Sequence, residues 1–210
     1  MNKNYQHVIE GISAEIAIDN IDTDQIIPTE YLKSIKKYGF GDFLFDGWRY
    51  NDEGNIQKDT SQREQNEDFI LNIDPYKKSK ILVVGKNFGC GSSREHAVWA
   101  LRDFGIECII AESFGDIFYN NCFKNRILPI QISQDKKNHV SEHIKKNKNL
   151  RVDLTNQSIQ LESSEIQFEI EESLKERIIL GQDDIDITCL LYTSDAADEG
   201  LGVDLGGRRI

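Results

Sequence analysis

One segment of the sequence carries most of the side chains that could do chemistry. It reads Gly89-Cys-Gly-Ser-Ser-Arg-Glu-His96 and follows a short apolar run. Gly89 and Gly91 would let a ligand approach the backbone, and the first turn of a following helix would present free N–H groups with partial positive charge. Arg94 can bind a carboxylate through two hydrogen bonds. The segment therefore predicts an anion site in which a serine hydroxyl lies among donors that could stabilise an alkoxide.

The same residues also allow a structural interpretation. Ser92-x-x-Glu95 fits a capping box, which stabilises the start of a helix without any catalytic role. His96 would lie one turn into an amphipathic helix, a position typical of a packed histidine. The pattern alone leaves both interpretations open.

Other classes of site are disfavoured by spacing. A dinucleotide-binding loop needs a small residue where Arg94 stands, and the Gly-Lys-Ser/Thr of a P-loop is absent. The four cysteines are widely spaced and contain no C-x-x-C pair, so we expect reduced thiols and neither a zinc site nor a disulfide framework. His139 and His143 stand four apart but within a lysine-rich patch, which indicates a surface pair. We expect no metal bound by this chain.

The elements around this segment predict an α/β fold. Lys80–Gly85 is a β-branched run typical of a buried strand, and a helix with a regular apolar stripe follows and ends at Gly105. A second strand over 107–111, a second helix over about 116–125 and a third strand over 127–132 complete a β-α-β-α-β unit. Parallel pairing is expected within this unit.

The flanking segments have different patterns. Residues 12–18 predict a strand that enters an acidic loop, 19–24, before Pro28. Residues 36–68 predict a long insertion held by aromatic rings. Beyond Asn149, period-two alternation predicts an antiparallel β-rich appendage, followed by a short helix over 174–180 ended by Gly181.

Composition limits the class of protein. A chain of 210 residues with a formal charge of −11 is expected to form one domain and opposes binding to nucleic acid. The lysine-rich patch at 136–148 is most simply the solvated face of a helix. No run is long enough for a membrane helix and the first ten residues lack the apolar core of a secretory signal, so we expect a cytoplasmic protein.

Three separated motifs resemble the swivelling β/β/α domain of the aconitase superfamily. They are Asp22-Thr-Asp-x-Ile-x-Pro28 with Tyr31-Leu, then Gly85-x-Asn-Phe-Gly-Cys-Gly-Ser-Ser-Arg-Glu-His-Ala97, and Phe114-Gly-Asp-Ile-Phe-Tyr-Asn-Asn-Cys-Phe-Lys-Asn125. Within the superfamily the chain is most similar to bacterial small subunits of the isopropylmalate dehydratase type. The likeness predicts a domain over 1–188, with a central β-α-β-α-β unit and a β-rich C-terminal part. Residues 189–210 depart from the family, and we expect a disordered or non-native tail there.

The resemblance implies a function in leucine biosynthesis, namely isomerisation of 2- and 3-isopropylmalate by dehydration and rehydration. It implies a large-subunit partner that holds a [4Fe-4S] cluster, and a small subunit that is inactive alone. By position in the motif, Ser92 is the base, Ser93 and Arg94 bind substrate carboxylate, and Leu32 faces the apolar substituent, unless it is a packing residue.

The remaining motif residues are expected to support the site. Gly89 and Gly91 would do so from the turn itself, and Asp22, Thr23 and Asp24 from the acidic loop, although the two aspartates could also be catalytic. Two alternative functions stay open: the small subunit of a sibling hydro-lyase acting on citramalate, methylmalate derivatives or homoaconitate, and a non-catalytic anion-binding module.

Overall fold

The structure is a computed structural model, and it describes residues 7–33, 38–55 and 57–180. The strands are β1 (Val8–Ile16), β2 (Ile81–Val84), β3 (Cys108–Ala111), β4 (Leu128–Gln131), β5 (Asn149–Asp153), β6 (Ser158–Gln160) and β7 (Glu165–Gln167). The α-helices are α1 (Thr23–Ile26), α2 (Asp46–Arg49), α3 (Glu95–Phe104), α4 (Asp116–Lys124), α5 (Gln134–Lys146) and α6 (Glu172–Leu180). Short 3-10 turns span Thr29–Lys33, Gly41–Phe43, Thr60–Gln62, Ile70–Asn72 and Tyr76–Lys78.

The central β-α-β-α-β unit is confirmed. It runs from β2 through α3, β3 and α4 to β4, and both of its strand pairs are parallel. Gly105 ends α3 in the left-handed conformation, at φ 112°, as its position predicts. The carboxyl ends of the parallel strands therefore lie along one edge, where the loops that follow them meet.

The predicted antiparallel β-rich C-terminal part is confirmed, and its strands extend the same sheet. The order is β4-β3-β2-β1-β5-β6-β7. β1 pairs in parallel with β2 over Ser13–Ile16 and antiparallel with β5 over Val8–Ile12. The strand therefore begins before the predicted residue 12, because its first half is extended by pairing with a distant partner that the local pattern does not reveal.

The sheet separates two apolar cores. Alternate residues of β2 point to opposite faces, so that Leu82 and Val84 join one cluster while Ile81 and Val83 join the other. The first cluster includes α3 and the apolar side chains of the insertion. The second is covered by α5, whose buried residues Val140 and Ile144 face the sheet. Three of its lysines are exposed, at positions 136, 145 and 146, whereas Lys137 forms an ion pair with Glu112.

Aromatic rings hold the insertion, as predicted. Tyr31 and Phe43 stack with centroids 4.1 Å apart, and Phe45 stacks on Trp48 at 5.4 Å. Arg63 adds a buried ion pair with Asp46.

The predicted helix near residue 174 is α6, which begins at Glu172. Gly181, the boundary at 188 and the expected tail over 189–210 lie outside the described residues. In the part of the chain that the structure describes, no helix is long and apolar enough to cross a membrane.

Candidate active site

Three loops meet at the carboxyl ends of β1, β2 and β3. The N–H of Gly89, after β2, donates to the Ile21 carbonyl after β1 at 2.8 Å. The N–H of Gly115, after β3, donates to the Phe88 carbonyl at 2.9 Å. The glycine turn after β2 is thus held between the loops that follow β1 and β3. It lies at the sheet edge where ligands of parallel sheets bind.

The turn requires glycine for two separate reasons. Gly89 and Gly91 adopt φ +71° and +91°, which L side chains rarely adopt. A Cβ on Gly89 would also lie 2.2 Å from the Phe118 ring, and a Cβ on Gly115 would lie 2.6 Å from the Gly89 carbonyl oxygen. The close contact between the turn and α4 therefore depends on the missing side chains.

A cavity of about 220 Å³ opens at this junction. It is lined by Thr23, Gly89, Cys90, Gly91, Ser92, Ser93, Arg94, Gly115, Asp116, Ile117 and Phe118. The predicted base and the two predicted carboxylate-binding residues therefore share one cavity with the supporting glycines and Thr23. The N-cap residue of α3, Arg94, and the first turn of α4 border it, and the N–H groups at these helix starts favour an anion there.

Sequence reasoning missed the contribution of α4. Residues 114–125 carry one of the three motifs, but their pattern predicts no role in the site for Asp116 and Ile117. A signal was present, because adjacent parallel strands bring their carboxyl ends together and the residues just after β3 must lie beside those after β2.

The alternative of a capping box at Ser92 is wrong. The N-cap residue of α3 is Arg94, in an extended conformation and without a side-chain capping bond. The Glu95 carboxylate instead accepts a 3.0 Å hydrogen bond from Nδ2 of Asn125. Ser92 lies before the helix and lines the cavity, so its hydroxyl is not used to cap α3.

The acidic loop after β1 contains a one-turn helix, α1, rather than an irregular turn. Asp22 caps it: its Oδ1 accepts from the Gln25 N–H at 2.7 Å, and its own N–H donates to Gln25 Oε1 at 2.9 Å. The Thr23 hydroxyl donates to the Ser92 carbonyl at 2.9 Å. Through Thr23, α1 fixes the backbone at Ser92.

Asp24, the second residue of α1, holds the side chain of Arg94. Its carboxylate forms an ion pair with Arg94 and accepts a 2.7 Å hydrogen bond from the Thr29 hydroxyl. The hydrogen bond from Arg94 is the main reason that the pKa of Asp24 lies below its usual value. The guanidinium has five N–H donors in all, so the ion pair with Asp24 leaves others that could bind an anion.

Leu32 and His96 lie outside the cavity, and the packed position expected for His96 is confirmed. Leu32, in the 3-10 turn Thr29–Lys33, packs against the first apolar cluster and is not among the residues that line the cavity. The His96 ring packs between Phe40 and Trp99, at centroid distances of 5.4 and 4.5 Å, and burial lowers its pKa. The structure therefore brings neither residue together with Ser92.

The described residues do not fit an iron–sulfur cluster. They contain no group of three or more His, Cys, Asp or Glu side chains that could hold a metal. Cys90, Cys108 and Cys122 are free thiols, and burial raises the pKa of the last two, which disfavours the thiolate that binds iron. Cys189 lies outside the described residues.

The comparison with known proteins agrees with this geometry. Residues 3–135 match the family model described as the aconitase C-terminal domain. The fold and the matched residues thus define an aconitase-type C-terminal domain with its cavity at the carboxyl edge of the parallel strands.

Similar proteins make the assignment narrower. A 3-isopropylmalate dehydratase small subunit of Ruthia magnifica is 54% identical over 84% of each chain, and one of Rhodopseudomonas palustris is 49% identical over 86% of this chain and 87% of that protein. A solved 3-isopropylmalate dehydratase of Methanocaldococcus jannaschii superposes with a TM-score of 0.64 at 26% identity, covering 91% of this chain and 99% of that one. The chain belongs to the family of 3-isopropylmalate dehydratase small subunits.

Proposed function

We propose that this chain is the small subunit of a 3-isopropylmalate dehydratase, which interconverts 2- and 3-isopropylmalate by dehydration and rehydration in leucine biosynthesis. The family membership supports the reaction. The observation that carries the mechanism is the shared cavity, in which Ser92, Ser93 and Arg94 lie together beside two helix N-termini.

Ser92 is assigned the role of base. Dehydration removes a proton from the carbon next to a carboxylate, and the Ser92 hydroxyl oxygen accepts it once that oxygen is ionised. A serine alkoxide needs strong stabilisation, because an ordinary hydroxyl is a very weak base. The N–H groups at the starts of α3 and α4 and the Arg94 guanidinium supply positive potential at this position. In the reverse direction Ser92 returns the proton to the carbon.

Ser93 and Arg94 are assigned to substrate carboxylate. Arg94 is the N-cap residue of α3, and its side chain is only 14% exposed, held on one side by Asp24. The guanidinium therefore has a fixed orientation before substrate arrives, which reduces the entropy lost on binding. The Ser93 hydroxyl lines the same cavity and can donate a further hydrogen bond.

The remaining chemistry belongs to the large subunit. The superfamily resemblance places there the [4Fe-4S] cluster, which supplies a Lewis acid for the substrate hydroxyl. The alkoxide also needs a site closed to water. The side chains of Asp116 and Ile117 line the cavity and are exposed in this chain, so another chain must cover the site. We therefore expect the small subunit alone to be inactive.

We place the reaction in the cytoplasm. Cys90, Cys108 and Cys122 are unpaired thiols, and a reducing compartment keeps such thiols intact.

The test is anaerobic co-purification with an aconitase-like large subunit, followed by assays with 2-isopropylmalate and citramalate. We expect turnover only with both chains, and chiefly of isopropylmalate. A complex that prefers citramalate would assign the chain to the sibling hydro-lyases, whereas failure to form any complex would favour the anion-binding module.

Ser92→Ala tests the mechanism within that complex. Loss of a general base typically lowers kcat about 100- to 10,000-fold, while assembly should be unchanged. Ser133→Ala is the matched control, because Ser133 is the N-cap residue of α5, makes no side-chain capping bond and lies outside the cavity. If Ser92→Ala retained the turnover of the control, Ser92 would not be the base.

A further inference from the structure

The cavity beside Ser92 has two chemically different walls. Ser92, Ser93 and Arg94 form a polar wall with a cationic group. The first turn of α4 contributes Asp116, which is anionic, and Ile117, which is apolar and 54% exposed. A molecule that fills the cavity must therefore meet both kinds of surface.

The position of the second wall is fixed relative to the first. Phe118, the next residue of α4, is 3% exposed and its ring packs directly over Gly89, while the Gly115 N–H donates to the Phe88 carbonyl at 2.9 Å. These contacts hold the residues on either side of the Asp116–Ile117 pair against the glycine turn. The two walls cannot separate without breaking this packing.

The substrate of the proposed function has a matching division of chemistry. It carries two carboxylates and one branched alkyl group, where citrate carries a carboxymethyl group and citramalate carries a methyl group. Arg94 can take one carboxylate. The alkyl group needs apolar contact, and Leu32 does not line the cavity, whereas Ile117 does.

We propose that Asp116 and Ile117 select the substituent of the substrate, an inference that rests on the proposed function. Ile117 contacts the branched alkyl group. The Asp116 carboxylate repels a third carboxylate in the same cavity, so that tricarboxylates are rejected by charge as well as by shape. An acidic residue in the first turn also stabilises α4 through the helix dipole, and the experiment must separate that effect from selection.

Asp116→Asn tests the charge in the assembled two-chain enzyme. Citrate is used as a competitive inhibitor of 2-isopropylmalate turnover, since its inhibition constant can be measured whether or not it reacts. Removing a like charge should lower that constant by about tenfold or more. Asp135→Asn is the control, because Asp135 occupies the first turn of α5, outside the cavity, and the same substitution there should leave citrate inhibition unchanged.

Ile117→Thr tests the apolar contact. We expect kcat/KM for 2-isopropylmalate to fall about tenfold, while the inhibition constant of citramalate, which lacks the branched group, changes by less than about threefold. Ile73→Thr is the control, because Ile73 is 38% exposed and does not line the cavity.

The possible failures are distinguishable. A wild-type complex that does not turn over isopropylmalate overturns the proposed function and this inference with it. An active complex in which both variants match their controls overturns this inference alone. If Ile117→Thr prevents assembly on size-exclusion chromatography, Ile117 is a subunit contact and its role in selection is wrong.

Discussion

Replacing Gly89 by alanine should destabilise the chain through two separate costs. The φ of +71° places an alanine in the left-handed region, which costs about 1–2 kcal/mol. The new Cβ would also lie 2.2 Å from the Phe118 ring, and overpacking of this kind costs about 1–3 kcal/mol. The free energy of unfolding should therefore fall by about 2–5 kcal/mol.

Two other glycines separate these costs in urea unfolding measurements. Gly105 has φ +112° but open space around it, so Gly105→Ala should show the conformational cost alone, about 1–2 kcal/mol. Gly47, within α2, has neither positive φ nor a close neighbour, and Gly47→Ala should be neutral or stabilising by up to about 1 kcal/mol. The expected order of destabilisation is Gly89, then Gly105, then Gly47.

A double-mutant cycle isolates the clash. Phe118→Ala removes the ring that the new Cβ would meet, so Gly89→Ala should cost about 1–3 kcal/mol less in that background than in the wild type. If Gly89→Ala costs no more than Gly105→Ala, or if the cycle shows no coupling, the contact between the glycine turn and α4 is not what fixes the cavity wall.

The acidic and basic groups of the insertion give further predictions. Hydrogen bonds, first from Lys58, lower the pKa of Asp52 to about 2 from 3.8. Because the pKa of Asp52 is depressed, its carboxylate stabilises the fold above pH 3.8, and this contribution is lost as the pH falls towards 2. The urea midpoints of the wild type and Asp52→Asn should therefore differ above pH 3.8 and converge as the pH falls towards 2. Arg63→Met leaves the Asp46 carboxylate buried without its cation and should cost about 3–5 kcal/mol, measured by the same unfolding assay. Asp46→Asn combined with Arg63→Met should recover part of that loss, and no recovery would show that the guanidinium acts by packing alone.

The central unit could be predicted because its signals are local. The run 80–85, the apolar stripe of α3 and Gly105 each report on structure formed within one element or one turn. The full length of β1 could not be predicted in this way, since its first half is paired with β5 across almost the whole described chain. The single sheet follows from that long-range pairing.

The candidate site was predictable by motif and only partly by physical pattern. The glycine turn, Ser92 and Arg94 lie within a few positions of one another, so sequence alone brought them together. Ser92-x-x-Glu95 also matched a capping box, yet the helix starts later and the Glu95 carboxylate accepts a hydrogen bond from Asn125, the C-cap residue of α4. Tertiary contact decided that case. Leu32 is partly buried against the first apolar cluster, and its contact with substrate stays a prediction.

The place of β1 in the sheet has a consequence for the order of folding. β1 lies in the middle, between β2 and β5, although it is made first and β5 is made near the end of the described chain. During synthesis its antiparallel edge stays unpaired until β5 has emerged, so the sheet is completed late. The turn that holds Ser92 and Arg94 follows β2, which pairs with the other edge of β1, so the candidate site is built on a strand whose antiparallel edge is paired only once β5 has emerged.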